Sequence, residues 1–206
     1  MAETVALIDY GAGNLHSVEN ALKAVGADVL VTADAGAVAS ASRIVLPGVG
    51  SYAACMKGLS AIPDMTETLA ERVLSKGTPF LGICVGMQLM ATRGLEHGAH
   101  PGLGWVGGDV APLQASADVK VPHMGWNRVE PVGEPSLVEP GEAYFLHSYA
   151  LRYAGEGQAS ICAATDHGGP VVAAVQTGTA LGVQFHPEKS QRYGLDLLSR
   201  FLEWRP

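Results

Sequence analysis

Two short segments of the sequence contain residue types that together could perform nucleophilic chemistry. Residues 82–86 read Gly-Ile-Cys-Val-Gly, and residues 186–188 read His-Pro-Glu. A cysteine attacks a carbonyl carbon efficiently when an imidazole takes its proton, and that imidazole needs an acceptor on its second nitrogen to fix its tautomer. The sequence therefore predicts Cys84 as nucleophile, His186 as base and then acid, and Glu188 as the carboxylate that orients the imidazole.

The spacing around Cys84 is typical of a tight turn between a strand and a helix. Side chains at Gly82 or Gly86 would collide in such a turn, which holds the sulfur at a helix N-terminus, where the thiolate is favoured. The N–H of Val85 could donate to an oxyanion, and the loop at residues 47–50 could bring a second donor. The alternatives are a buried structural cysteine and an ordinary surface turn at the His-Pro-Glu segment.

Strands and helices alternate through the first half of the chain. Apolar runs predict strands at residues 4–9, 28–31, 43–46 and 79–83, and helical spacing predicts helices at 15–25 (with Asn14 as its cap), 63–76 and 86–92. From about Gly107, short strands follow at 124–132, 144–153, 159–165, 171–176 and 181–185, and a final helix at 193–204. We predict one α/β domain over residues 1–206: an open, doubly wound, mainly parallel sheet flanked by helices, with an antiparallel extension in the C-terminal half.

The composition narrows the classes of function. The chain has 206 residues, 48% of them apolar, a formal net charge of −7 and no cluster of Lys and Arg, so we expect no nucleic-acid partner. The longest apolar stretch, residues 79–91, is shorter than the roughly 20 residues of a membrane helix, so no membrane partner is expected. Three scattered cysteines suit a reducing cytoplasm. No His or Cys spacing is typical of zinc and no phosphate-binding loop is present, so neither a metal nor a cofactor is expected.

The two chemical segments, with Gln88, resemble those of the class I (triad-type) glutamine amidotransferases. Four further segments narrow the resemblance to the glutaminase subunits of imidazole glycerol phosphate synthases in histidine biosynthesis. These segments are residues 9–14 (DYGAGN), 46–50 (LPGVG), 122–127 (PHMGWN) and 144–149 (YFLHSY). The resemblance runs from Ala6 to the C-terminal helix, and the third and fourth segments are its most specific parts.

The resemblance implies that Cys84 attacks the side-chain amide of glutamine, that ammonia leaves, and that water hydrolyses the γ-glutamyl thioester to glutamate. It assigns an oxyanion hole to the backbone of Val49, Gly50 and Val85. It assigns substrate binding to Gly48, Gln88, Glu96, His147, Ser148 and Tyr149. The stretch around Glu96, Thr-Arg-Gly-Leu-Glu-His, departs from the Ser- and Glu-rich pattern common in the family.

The family's ammonia passes to a (β/α)8-barrel cyclase, with which the glutaminase forms a heterodimer. The cyclase uses it to make imidazole glycerol phosphate and an aminoimidazole carboxamide ribonucleotide. By resemblance, Asn14, Trp126 and Lys189 lie on the docking face, although Trp126 could instead be a core aromatic residue. After the glutaminase core is counted, no residues remain for a domain that would bind the ammonia acceptor. We therefore hypothesise that the isolated chain is nearly inactive.

Three other functions are compatible with some of these features. The first is a glutaminase that serves another synthase, such as an anthranilate-type one; the PHMGWN segment argues against it. The second is a catalytically silent binding subunit; the intact Cys84, His186 and Glu188 argue against it. The third is a stand-alone cysteine hydrolase acting on a different amide.

Overall fold

Five adjacent parallel strands form the framework of the fold. The computed structural model describes residues 3–133, 136–155 and 159–206. Its strands are β1 (Thr4–Ile8), β2 (Asp28–Thr32), β3 (Arg43–Leu46), β4 (Phe80–Ile83), β5 (Ala91–Gly94), β6 (His100–Pro101), β7 (Val106–Pro112), β8 (His123–Pro131), β9 (Gly141–His147), β10 (Tyr149–Tyr153), β11 (Ser160–Asp166), β12 (Pro170–Thr177) and β13 (Ala180–Val183). The main sheet has the order β2-β1-β3-β4-β13-β12-β11-β8-β9, in which the first five are parallel.

The helices pack in two groups against this sheet. They are α1 (Leu15–Ala24), α2 (Ala35–Ser40), α3 (Tyr52–Ser60), α4 (Met65–Ala70), α5 (Val85–Gln88) and α6 (Gln191–Glu203). Helix α1 contacts α6, whereas α2 and α3 both contact α4. Strands β3, β4 and β13 are buried along their whole length, as expected of central parallel strands covered by helices. In the described residues, no helix is long and apolar enough to cross a membrane.

The predicted α/β class is confirmed, and so are the first four strands and the last helix, to within a few residues. The helix predicted over 63–76 begins as α4 and continues as a π-helical segment, Glu71–Ser75. The helix predicted over 86–92 is shorter, because the chain turns into β5 at Ala91. Asn14 occupies the N-cap position of α1, but its side chain makes no capping hydrogen bond. Helices α2 and α3 and strands β5, β6 and β7 were not predicted.

The C-terminal half differs from the prediction in two respects. The strand predicted over 181–185 corresponds to β13, which pairs parallel with β4 and belongs to the parallel core. The strand predicted over 144–153 is two strands in different sheets, because the chain changes direction at Ser148. Strand β9 ends the main sheet, whereas β10 joins a second sheet with the order β10-β7-β5-β6. The turn at Ser148 thus brings residues 146–149 next to the sheet edge where β4 and β13 end.

We predict that the substitution Leu81→Ala lowers the free energy of unfolding by about 3 kcal/mol, because the shorter side chain leaves a cavity in a close-packed core. Leu81 is fully buried in β4 between β3 and β13. The matched control is Leu30→Ala, also a strand leucine but 43% exposed on the edge strand β2, which should cost well under about 1 kcal/mol. Urea denaturation measures both, and equal losses would contradict the assignment of β4 to the core.

Candidate active site

Cys84 lies at a sharp turn between β4 and α5. Its backbone has φ 54° and ψ −110°, a region that non-glycine residues rarely adopt and that costs of the order of 1–3 kcal/mol. Its N–H donates to the carbonyl of Val183 at 2.8 Å, which fixes the turn to the neighbouring strand β13. The side chain is 3% exposed.

The two glycines that flank Cys84 allow close backbone approach, as the sequence predicts. A Cβ atom on Gly86 would lie 1.9 Å from the carbonyl oxygen of Leu46, and one on Gly82 would lie 2.8 Å from the carbonyl oxygen of Gly86. Neither distance is compatible with a side chain, because the opposing atoms belong to the backbone. Glycine at both positions lets α5 begin directly over the ends of β3 and β4.

His186 reaches the same sheet edge because it follows β13, the parallel neighbour of β4. The register pairs Ile83 with Val183, so the segments after both strands leave the sheet side by side. The His186 N–H donates to the carbonyl of Tyr144 at 2.9 Å, and the hydroxyl of Ser190 donates to the His186 carbonyl at 2.7 Å. The short 3-10 turn Pro187–Lys189 follows immediately.

Glu188 contacts the imidazole of His186 on the side away from the cysteine. Nδ1 of His186 donates to Oε1 of Glu188 at 2.8 Å, and both side chains are almost fully buried. Burial lowers the pKa of His186, but its interactions with the Cys84 thiol and with Glu188 outweigh burial and raise that pKa to about 9. Glu188 thus fixes the tautomer and leaves Nε2 for the thiol, which is the arrangement that a Cys-His-Glu triad requires.

The backbone predicted to form an oxyanion hole has one of its donors occupied. The Val85 N–H donates to the carbonyl of Gly48 at 3.4 Å, a long hydrogen bond. Val49 and Gly50 line the cavity beside Cys84, whereas Gly48 lies behind it, tightly packed against Val85 and Gly86. In this arrangement the Gly48 carbonyl points to the donor that a developing negative charge would need.

A cavity of about 310 Å³ opens over Cys84. It is lined by Val49, Gly50, Cys84, Val85, Gln88, Glu96, Pro122, Leu146, His147, Ser148, Tyr149 and His186. Every residue predicted to bind substrate except Gly48 is therefore in its wall. Glu96 also accepts the Tyr52 N–H at the start of α3, at 2.7 Å. Pro122 and Leu146 belong to segments that the sequence singled out, but neither was assigned to the site.

Gln184 lies under the nucleophile and was missed by the sequence analysis. It is fully buried, and its Nε2 lies 3.7 Å from Sγ of Cys84. Its Oε1 accepts from Nε2 of Gln88 at 3.0 Å, and the same Gln88 nitrogen donates to the carbonyl of Tyr149 at 2.9 Å. The available signal was a polar residue inside the apolar strand that precedes the His-Pro-Glu segment. Gln88 is thus held in place by protein groups at its amide nitrogen.

A hydrogen-bonded chain of neutral side chains supports the opposite wall of the cavity. The Tyr149 carbonyl can only accept, so Nδ1 of His147 is its donor at 2.9 Å and Nε2 of His147 is an acceptor. Nδ1 of His123 then donates to that Nε2 at 3.0 Å, and Asn127 donates to Nε2 of His123 at 3.1 Å. An added proton would place two N–H groups face to face, so the chain favours neutral imidazoles.

Two of the three residues predicted on the docking face, Trp126 and Lys189, lie beside the ring of Tyr144. The indole of Trp126 on β8 packs edge-to-face with the ring of Tyr144 on β9, at 6.1 Å between ring centroids. Nζ of Lys189 lies 5.9 Å from the centroid of the Tyr144 ring. Trp126 is 48% exposed, so it is not a core aromatic residue. Asn14 is at the start of α1, where Gly13 approaches Pro47. Met124, 64% exposed on β8, extends this apolar surface and was not predicted.

In the described residues, no group of three or more His, Cys, Asp and Glu side chains could hold a metal ion. The three cysteines are free thiols, all of them buried.

Comparison with known proteins identifies the class of protein. The family model for class-I glutamine amidotransferases matches residues 6–203, and the chain belongs to that family. A crystal structure of a glutamine amidotransferase has the same fold, with a TM-score of 0.76 at 20% sequence identity over 97% of both chains. The crystal structure of a glutamine amidotransferase from Thermotoga maritima gives a TM-score of 0.64 at 18% identity, over 98% of this chain and 84% of that one.

The curated relatives define the particular member of that class. Imidazole glycerol phosphate synthase subunit HisH of Zymomonas mobilis is 56% identical over 100% of this chain and 98% of its own length. The HisH subunit of Rhodopseudomonas palustris is 49% identical over 98% of this chain and 100% of its own. The chain therefore belongs to the HisH family.

We predict that Gly86→Ala abolishes folding or lowers the free energy of unfolding by more than about 3 kcal/mol, since its Cβ would overlap the Leu46 carbonyl. The matched control is Gly178→Ala. No heavy atom lies within 4 Å of a Cβ there, so only the backbone strain at φ 51° opposes it, about 1 kcal/mol. Thermal unfolding measures both variants. A Gly86→Ala variant as stable as the control would contradict the close approach.

We predict that His123 and His147 stay neutral in the folded protein down to about pH 5. Burial, with nearby imidazoles, lowers the pKa of His123 to about 3, and burial lowers that of His147 to about 4. The unfolded chain, with histidine pKa values near 6.5, then binds more protons than the folded one as the pH falls below 6.5. The free energy of unfolding should decrease on acidification from pH 6.5 to 5.5 by about 1 kcal/mol for each of the two residues.

Histidine Cε1–H chemical shifts in an NMR pH titration test this directly, with the urea-unfolded chain as the control. Neither residue should titrate between pH 5 and 8 in the folded protein, whereas both should titrate near pH 6.5 in urea. His186 acts in the opposite sense: its raised pKa means that its contribution is complete below pH 6.5 and is lost as the pH rises through about 9. Titration of His123 or His147 near pH 6.5 in the native state would refute the neutral chain.

Proposed function

We propose that the chain hydrolyses L-glutamine to glutamate and ammonia through a thioester on Cys84. The observation that supports this most is the convergence of Cys84 and His186 on one cavity, with Glu188 bonded to the far nitrogen of His186. The sulfur attacks the side-chain amide carbon of glutamine, and His186 gives a proton to the departing ammonia. Water, deprotonated by His186, then attacks the thioester and releases glutamate, which restores the thiol.

We propose that the oxyanion hole forms only when the peptide between Gly48 and Val49 rotates. The carbonyl of Gly48 and the N–H of Val49 point in opposite directions from one planar peptide unit, so a half-turn exchanges them. Rotation would release the Val85 N–H from its 3.4 Å hydrogen bond and would turn the Val49 N–H toward the cavity. Two donors would then face the oxyanion, each supplying transition-state stabilisation of the order of 3 kcal/mol. The resting chain lacks this arrangement, which supports low activity in isolation.

The substrate would lie in the cavity between the α5 wall and the turn at residues 146–149. The carboxylate of Glu96 suits the α-ammonium group of glutamine by charge. Gln88 and the backbone of Ser148 and Tyr149 suit its polar ends, and His147, as a neutral group, supports that wall without repelling His186. Gly48 acts as a residue of the oxyanion loop, since its carbonyl accepts the Val85 N–H.

We propose that the partner is a (β/α)8-barrel cyclase, which docks on the face formed by Trp126, Tyr144, Lys189 and Asn14. The relatives are named as subunits of imidazole glycerol phosphate synthase, so a second subunit belongs to their enzyme. Ammonia released beside Leu146, whose carbonyl lies 3.8 Å from the Cys84 sulfur, would enter that partner. There it would be built into imidazole glycerol phosphate, with release of an aminoimidazole carboxamide ribonucleotide.

We also propose that residues 1–206 form a single domain and that the protein works in the cytoplasm.

The decisive variant is Cys84→Ala, assayed as glutamate formed from glutamine with and without a barrel cyclase and its nucleotide. The wild type should be active mainly in the complete mixture, and the variant should lose activity by a factor of the order of 10⁴ or more, because no other group can form the thioester. The matched control is Cys162→Ala, which removes another buried thiol and should retain wild-type activity. Wild-type turnover in Cys84→Ala, or no glutamate in any mixture despite a formed complex, would refute the proposal.

A further inference from the structure

Three consecutive carbonyl groups of the loop beside the nucleophile each accept a hydrogen bond. The hydroxyl of Tyr10 donates to the carbonyl of Pro47 at 2.6 Å. The thiol of Cys55 donates to the carbonyl of Val49 at 3.4 Å, a short distance for sulfur. Between them, the carbonyl of Gly48 accepts the long hydrogen bond from the Val85 N–H. We call Tyr10 and Cys55 the loop anchors.

The loop anchors come from different elements and are both buried. Tyr10 follows β1 and is 6% exposed, and Cys55 lies on α3 and is fully buried. Helix α3 packs directly on the tyrosine backbone, because a Cβ on Gly58 would lie 2.5 Å from the Tyr10 carbonyl oxygen. Burial raises the pKa of both side chains and, for Cys55, outweighs the opposing effect of its hydrogen bond with Tyr10, so each stays protonated and remains a donor.

The positions of the anchors divide the loop into fixed and movable peptides. The Pro47 carbonyl belongs to the peptide before Gly48, and the Val49 carbonyl belongs to the peptide after Val49. Both flanking peptides are therefore bonded to buried side chains. The peptide between Gly48 and Val49 is linked instead to the Val85 N–H, at 3.4 Å, a distance that is long for an N–H donor although it is short for a thiol. This peptide can rotate through compensating changes of ψ at Gly48 and φ at Val49. The flanking peptides then stay in place.

We infer that Tyr10 and Cys55 are positioning residues that confine activation to this single peptide. By fixing both ends of the loop, they deliver the Val49 N–H to the place where the oxyanion forms. The inference rests on the proposed glutaminase activity, and it names the groups that determine how accurately the activated loop is placed. A donor misplaced by a fraction of an ångström loses much of its effect on the transition state.

The test compares Tyr10→Phe, Cys55→Ala and Cys55→Ser in the complete complex with the barrel cyclase and its nucleotide. Tyr10→Phe and Cys55→Ala should each lower kcat for glutamine hydrolysis about tenfold, because a flanking peptide is released. The KM for glutamine should change by less than about twofold, since the substrate-binding wall contains neither anchor. Cys55→Ser should recover at least about half of the loss on a logarithmic scale, because its hydroxyl can still donate to Val49.

Cys162→Ala is again the control for removing a buried thiol, and thermal unfolding of each complex verifies that the fold is kept. Wild-type kcat in both Tyr10→Phe and Cys55→Ala would overturn the inference. So would a rise in KM at constant kcat, which would mean that the anchors shape the substrate site instead, or a serine variant no better than alanine. If Tyr10→Phe does not fold, the serine and alanine pair at residue 55 decides. An inactive wild-type complex would refute the proposed function itself, and the inference with it.

Discussion

The backbone of Cys84 is the constraint on which the rest of the site depends. A non-glycine residue at φ 54° holds the sulfur above the sheet edge only if the surrounding backbone prevents relaxation. The hydrogen bond to Val183, the contact of Gly86 with Leu46 and the parallel pairing of β4 with β13 provide this restraint. The same pairing brings His186 to the sulfur, so the fold positions nucleophile and base by one structural feature.

Two imidazoles near one cavity have pKa values shifted in opposite directions. The thiol and the carboxylate that face His186 outweigh its burial and raise its pKa, whereas burial lowers the pKa of His147 despite its hydrogen bond to the Tyr149 carbonyl. A second cation beside His186 would oppose its protonation by the Cys84 thiol, which has to precede the departure of ammonia. The neutral chain through His123 and Asn127 therefore supports the cavity wall without disturbing the base, and it joins that wall to the strand that carries Trp126.

The sequence predicted the parts of the structure that local signals determine. The elbow at Cys84 and the His-Pro-Glu turn follow from short segments whose glycines and proline restrict the backbone. Helix α2, Ala-Gly-Ala-Val-Ala-Ser, was missed because it has little apolar periodicity. The pairing of β13 with β4 and the split at Ser148 were missed because contacts far apart in the sequence decide them.

The same limit applies to the site. Gln184 meets Gln88 across 96 positions, and Tyr10 meets Pro47 across 37, so no spacing rule could pair them. The sequence predicts a loop at residues 47–50. It does not predict that the Gly48 carbonyl accepts the Val85 N–H and so occupies a donor of the oxyanion hole. Residues recognised by their type were thus found, whereas residues that act through a distant partner needed the structure.

The most direct test of the thioester is to trap it. The complex with a barrel cyclase and its nucleotide is mixed with glutamine and quenched with acid during turnover, and the peptides are analysed by mass spectrometry. We predict a γ-glutamyl group on Cys84 and none on Cys55 or Cys162, the other buried thiols. Glutamate formation with no adduct on Cys84, or with an adduct on another cysteine, would contradict it.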